Sequence, residues 1–156
     1  MYGDNYQSYG LFETASDVEG APNEISMLFS EGYWREGQTR LRRYTIRLDG
    51  FVSVQAPYSG GELLTKPLVY SGDKLTINGS TSAAGSVRVE IQDAAGKPIP
   101  GFAAEDCQEI IGDSVVQHVS WKNADLSKVA GKPVRLRFVM KDADLYSFQF
   151  VKRESK

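Results

Sequence analysis

The chain has 156 residues, 41% of them hydrophobic, with 18 basic and 20 acidic side chains and a net charge of -2. Such a length suggests one domain with an appendage, able to bury roughly two thirds of its unfolded surface without a disulfide or metal to hold it. The charge balance gives no basic surplus for nucleic acid, no run reaches the ~18 apolar residues of a membrane helix, and the single cysteine, Cys107, excludes an internal disulfide.

The start, Met1-Tyr-Gly-Asp-Asn-Tyr, lacks the basic and apolar regions of a signal peptide. Either the protein is not exported or this is a piece of a longer chain; we take the second reading. Residues 1–23 are polar and aromatic, with three tyrosines among the first nine residues and no sustained periodicity. Tyr9-Gly-Leu-Phe12 reads as a short strand. Ile25, Met27 and Phe29 alternate with smaller or polar neighbours, which predicts a strand running to Tyr33-Trp34. A loop, Arg35-Glu36-Gly37-Gln38, returns the chain. Tyr44, Ile46 and Leu48 then alternate with Arg43, Thr45 and Arg47, so 24–48 reads as a β-hairpin. This spacing makes the arginines at 40–47 the solvated face of a strand rather than an anion site.

Asp49-Gly50 predicts a turn, and Phe51 to Ala56 a strand ended by Pro57. Ser59-Gly60-Gly61 is a loop. Residues 62–65 and 68–70 flank Lys66-Pro67, where proline argues for an edge or a break. Leu75 to Asn78 and Val87 to Ile91 read as two strands separated by the small polar loop Ser80–Gly85. Val115 to Trp121 is another strand. Asp125 is placed to cap one helical turn, Leu126 to Ala130, which Gly131 and Pro133 stop. Val134, Leu136, Phe138 and Met140, then Asp142-Ala143-Asp144, then Tyr146, Phe148 and Phe150 predict a closing β-hairpin, followed by a charged tail, Lys152 to Lys156. Short strands with close turns and no long helix define an all-β fold, an antiparallel β-sandwich of jelly-roll type with an N-terminal β-hairpin appendage. The division expected is 1–48 and 49–156.

Catalytic constellations are absent at the level of motif. One histidine, His118, excludes a His-pair metal site and reads as an ordinary strand residue. Cys107 reads as a small buried hydrophobe. The acidic residues are weighed against glycoside hydrolysis, which needs two carboxylates at fixed separation. Asp113, Asp142 and Asp144 fit turn chemistry, and Glu105 and Asp106 a solvated loop. No cofactor is expected beyond a structural calcium, which loop oxygens of such sandwiches hold. Asn78-Gly79-Ser80 fits a glycosylation acceptor, but an Asn-Gly turn is preferred.

Aromatic residues carry the binding reading, because sugars offer flat apolar faces to exposed rings. Tyr33, Trp34, Tyr58 and Tyr70 fall at strand ends or loops and are the candidate carbohydrate-binding residues. For Trp34, packing in a core or interface competes with ligand stacking, and for Tyr58 the two readings are balanced. Trp121 shares the period of Val119 and reads as core.

Three stretches, Arg42 to Ser53, Gly85 to Phe102 and Val134 to Phe148, resemble the C-terminal part of bacterial proteins related to glycoside hydrolase families 32 and 43. There a five-bladed propeller precedes a β-sandwich. The resemblance covers about residues 24–150. It implies that 1–48 are the last strands of a propeller blade and that the rest is the sandwich. It also implies an extracellular or periplasmic location. The family's catalytic carboxylates lie in upstream blades, and no position here matches them. The resemblance therefore implies a non-catalytic module that binds carbohydrate or props a catalytic domain. The alternative is a structural or oligomerisation module. Strands without their sheet seek another edge, so self-association through the N-terminal strands is expected, with neither nucleic acid nor membrane as partner. A small free-standing hydrolase is the remaining alternative.

Overall fold

In the computed structural model, which describes residues 5–34, 37–122 and 124–152, all regular elements except one short 3-10 turn are β-strands. Tyr2, Arg35, Glu36 and the tail beyond Lys152, read above from the sequence, lie outside the described residues. Chain contacts divide the molecule into two units, Met1–Phe51 and Val52–Lys156.

The first unit is an antiparallel meander of β1 (Tyr6–Thr14), β2 (Glu24–Glu31) and β3 (Arg40–Arg47). The expected hairpin is present as β2 and β3, and β1 adds a third strand outside β2. The β2–β3 register is unbroken. Ile25 faces Ile46, Met27 faces Tyr44 and Phe29 faces Arg42, so these six share one face of the sheet. Leu28–Arg43 and Ser30–Leu41 occupy the other. β1 pairs with β2 through two irregularities, between Gln7 and Tyr9 and between Tyr9 and Phe12. Apolar residues are thus distributed over both faces. Among the described residues of this unit, the buried side chains are polar, Ser26 and Glu31.

The second unit contains β4 (Val54–Ala56), β5 (Gly61–Leu64), β6 (Lys74–Asp93), β7 (Asp113–Val119) and β8 (Val134–Val151). Its sheet runs β4-β8-β6-β7, with β5 also paired to β8, and all its pairings are antiparallel. Two expectations are corrected here. The hairpin read over 133–151 is a single 18-residue strand, and the two strands read on either side of Ser80–Gly85 are a single 20-residue strand. Neither pairs with itself; they pair with each other from Lys74–Val151 to Asp93–Val134.

The turn residues recognised in the sequence serve as a fold-over instead. The register jumps from Thr81–Ala143 to Ser86–Lys141, leaving Ser82 to Gly85 opposite Asp142. Asp142 adopts a φ of 43°, which aspartate tolerates better than most residues. A β-carbon on Gly85 would lie 2.3 Å from the Asp142 carbonyl oxygen and 2.7 Å from that of Lys141, so only glycine fits. Both long strands double back at this point. Ten residues of straight strand would separate Phe138 from Phe148 by about 33 Å. Their ring centroids are 5.5 Å apart. One pair of strands thereby supplies both layers of a β-sandwich-like fold.

The core lies between the layers. Leu75, Ile77, Val87, Val89, Ile91, Val134, Leu136 and Phe138 are buried almost completely. Each contributes about 1.5–3 kcal/mol of hydrophobic stabilisation. Inward positions are even-numbered up to Met140 and switch to Ala143 and Leu145 beyond the bend, as the inserted kink requires. Asp125 caps the short turn Leu126–Lys128, accepting a hydrogen bond from the Ser127 N–H at 3.0 Å, as its sequence position predicts. Trp121 is core, its Nε1–H donating to the Val89 carbonyl at 2.8 Å. Leu68, beyond Pro67, makes only a two-bond bridge to Val134, which fits the edge role expected of that segment.

Candidate functional site

The four aromatic candidates fall in three different places. In the first unit, Tyr33 and Trp34 follow β2 and meet Tyr6 of β1. Ring centroids are 5.1 Å apart for Tyr33–Trp34, 5.4 Å for Tyr6–Tyr33 and 6.4 Å for Tyr6–Trp34, all edge to face. Trp34 Nε1–H donates to the Tyr6 hydroxyl at 3.0 Å. Tyr33 is 55% and Trp34 67% exposed, so this cluster is neither core nor a closed pocket.

The nearby charges are internally paired. The Glu31 carboxylate accepts from the Tyr44 hydroxyl and lies 2.6 Å from Arg40 Nε and 3.2 Å from Arg42 Nε. Hydrogen bonds from Tyr44 and then Arg40 hold Glu31 below the usual carboxylate range, and push the Tyr44 phenol up in return. Arg43 pairs with Asp17. Arg40, Arg42 and Arg43 of β3 therefore clamp this unit's own carboxylates.

Tyr70 lies elsewhere. It is 7% exposed, stacked on Phe150 with centroids 3.8 Å apart, and its hydroxyl donates to the Leu126 carbonyl at 2.8 Å. Buried and stacked on Phe150, the ring has no face open to a sugar. Burial pushes its phenol up to about 12.

Tyr58 is the candidate with a built setting. Pro57 to Gly60 form a tight turn in which the Gly60 N–H donates to the Pro57 carbonyl at 2.9 Å. Gly60 has a φ of 90°, a conformation open to glycine. The same Pro57 carbonyl accepts from the Asp142 N–H at 3.0 Å, which pins the turn to the fold-over of β8. Tyr58 is thereby held outward, 63% exposed, with the Lys141 ammonium over one face, 4.2 Å from the centroid. Beside it runs an open groove of about 480 Å³, lined among others by Ser59, Glu62, Ser86, Arg88 and Lys141. Register explains the grouping, because Gly61 pairs with Met140 and Ser86 with Lys141. The sequence carried a signal for Tyr58 in Pro-Tyr-Ser-Gly-Gly. It carried none for Lys141, Ser86 and Arg88, which a non-local pairing delivers.

The groove holds no pair of carboxylates in acid–base relation. Glu62 lies 2.5 Å from Arg137 Nη2, and Glu90 3.3 Å from Arg137 Nη1. The Arg137 hydrogen bond holds Glu62 below the usual carboxylate range, so at neutral pH it has no proton to give a leaving group. A second cavity, also about 480 Å³, is lined by Asp73, His118, Ser120, Trp121 and Asp125 among others. Two of its groups serve the fold already, since Asp125 caps the 3-10 turn and the Trp121 N–H binds Val89.

Glu105 is exposed, and Asp144 accepts from the Ser53 hydroxyl at 2.7 Å. Among the described residues no group of three or more His, Cys, Asp and Glu side chains is arranged to hold a metal ion. Cys107 is buried, and that burial raises its thiol pKa, which leaves it a poor nucleophile. Comparison of the chain with protein-family models, curated proteins and solved structures returns no match.

Proposed function

We propose that the chain is a non-catalytic β-sandwich module that accompanies a glycoside-hydrolase-like protein and binds carbohydrate at Tyr58. The accompanying role rests on the sequence resemblance. The binding role rests on one observation, an exposed tyrosine ring under Lys141, which itself lines a groove supplied with hydroxyls and charged groups. A pyranose lays its apolar face on such a ring and turns its hydroxyls to the groove. Lys141, over the same ring and lining the groove, is placed to meet the polar substituents of a sugar packed there. The test is a glycan screen of the chain with Tyr58→Ala and Trp34→Ala alongside. Binding that falls about tenfold or more in Tyr58→Ala, with the fold retained, supports the reading. Loss in Trp34→Ala alone would move the site to the first unit.

A second reading, self-association through the first sheet, has its own observation. That sheet buries no apolar side chain fully among its described residues, and Tyr9, Leu11 and Leu41 are exposed on its outer strands. Edge strands of this kind accept a neighbour. Sedimentation that gives a monomer at every concentration would remove this reading.

A further inference from the structure

We propose that the sugar taken by the Tyr58 groove is acidic: the ring lies on Tyr58 while a carboxylate on the sugar meets Lys141, with Arg88 beside it. This rests on the carbohydrate-binding reading and adds the chemical class of the ligand.

The argument is one of charge and donor inventory. The outer face of the bent β6–β8 pair carries Arg88 on β6 and Arg135, Arg137 and Lys141 on β8, with Glu90 on β6 and Glu62 on β5. Both carboxylates bind Arg137. Arg88 has Glu109 beside it, which leaves Lys141 as the groove cation without a carboxylate partner. No carboxylate lies within 4 Å of the Lys141 ammonium among the described residues, and the group rests instead on the Tyr58 ring. Arg88 is held only loosely, its Nη2 3.4 Å from Glu109 and its Nη1 3.5 Å from the Cys107 carbonyl. Both distances exceed that of a strong charged hydrogen bond.

Neutral sugars are commonly oriented by carboxylates and amides that accept from their hydroxyls. Here the one carboxylate in the groove, Glu62, is engaged by two nitrogens of Arg137. What remains is mostly donor: the three N–H bonds of Lys141, the loosely held guanidinium of Arg88, and the Ser59 and Ser86 hydroxyls, which can donate as well as accept. A wall of donors with a surplus cation selects a ligand rich in acceptors and negatively charged, and a sugar carboxylate satisfies both conditions next to an aromatic platform.

The experiment titrates the whole chain with an oligogalacturonate and with the same oligosaccharide as its methyl ester, at low and at near-physiological salt. Tyr58→Ala, Lys141→Gln, Lys141→Arg and Arg88→Gln are run in parallel, each checked for an unchanged thermal unfolding profile. The acid should bind at least about tenfold tighter than the ester, and the preference should shrink as salt rises. Lys141→Gln should erase the preference, Lys141→Arg should keep most of it, Arg88→Gln should reduce it, and Tyr58→Ala should weaken both ligands. Equal binding of acid and ester that Lys141→Gln leaves unchanged overturns the acidic assignment while leaving glycan binding intact. A sulfated neutral glycan that binds as well as the uronate overturns the carboxylate assignment. If no oligosaccharide of any kind binds, both readings fail.

Discussion

The two units start from the same kind of sequence and end with different interiors. Both are antiparallel sheets of alternating strands. The strands of the first are eight or nine residues long, and their apolar side chains are divided between two faces, none of them fully buried. The two central strands of the second are 20 and 18 residues long, and their apolar side chains line one closed core. Alternation specifies a strand in either case. A buried face also needs an opposing layer, and only strands long enough to double back supply their own. The three strands of the first sheet close no such core among their described residues.

The sharpest way to test that contrast is to make one substitution in both units. Phe138 is fully buried between the layers, whereas Phe29 is half-buried with its ring 5.1 Å from that of Tyr44. Phe138→Ala should cost about 3–5 kcal/mol in urea unfolding. Phe29→Ala should cost about 1 kcal/mol. Equal losses would mean that the first sheet has a core of its own kind, and would break the comparison.

The next effect lies at alkaline pH in the second unit. The folded pKa of Tyr70 is raised to about 12 from an ordinary value of 10.0. Its contribution is therefore complete below pH 10 and lost as pH rises from about 10 to about 12. The loss should be roughly 2–3 kcal/mol. Tyr70→Phe should flatten that limb of the stability profile, although it also removes the bond to the Leu126 carbonyl. A limb that persists unchanged in the variant would assign the slope to other tyrosines.

The smallest effect belongs to the first sheet at acid pH. The folded pKa of Glu31 is depressed, so its contribution is present above about 4.5 and fades as pH falls through the folded value. Amide exchange in β2 and β3 should quicken over that range. In Glu31→Gln it should be quick already at neutral pH and insensitive to acid, with β6 and β8 protected throughout. Acid loosening that spreads equally to β6 would show that the two units do not respond separately.

Much of the local structure was legible in the sequence. The alternation at Tyr44–Arg47 and at Val134–Met140, the Asp125 cap and the core position of Trp121 all follow from spacing or from a single side chain's chemistry. The continuity of β6 and β8 did not. Asp142 and Gly85 are turn formers by every local measure, and they do change the direction of the chain. Whether the flanking runs then pair with each other or with a strand more than forty residues away is decided by hydrogen bonds that no local pattern encodes. Tyr70 shows the same limit. Its place after Pro67 resembles a loop position, and only its stacking on Phe150, eighty residues on, puts it in the core. In the site, Tyr58 could be picked out from its turn, while Lys141 and Arg88 arrive through register.

The pairing of β6 with β8 also sets a schedule for synthesis. The first sheet pairs only neighbouring strands and can close soon after Arg47 leaves the ribosome. β6 is complete at Asp93, but its first partner residue on β8, Val134, follows 41 residues later in the chain. At about 5–20 residues per second that is a wait of roughly 2–8 s, and Lys74, paired with Val151, waits longer still. Residues 99–110 can meet Val87 and Ile91 earlier, but the edge of this apolar run that β8 covers stays open throughout the wait. An open apolar edge is where a nascent chain most readily pairs with the wrong neighbour. Slow translation between residues 93 and 134 should therefore lower the soluble yield of this protein, and faster translation or a holding chaperone should restore it.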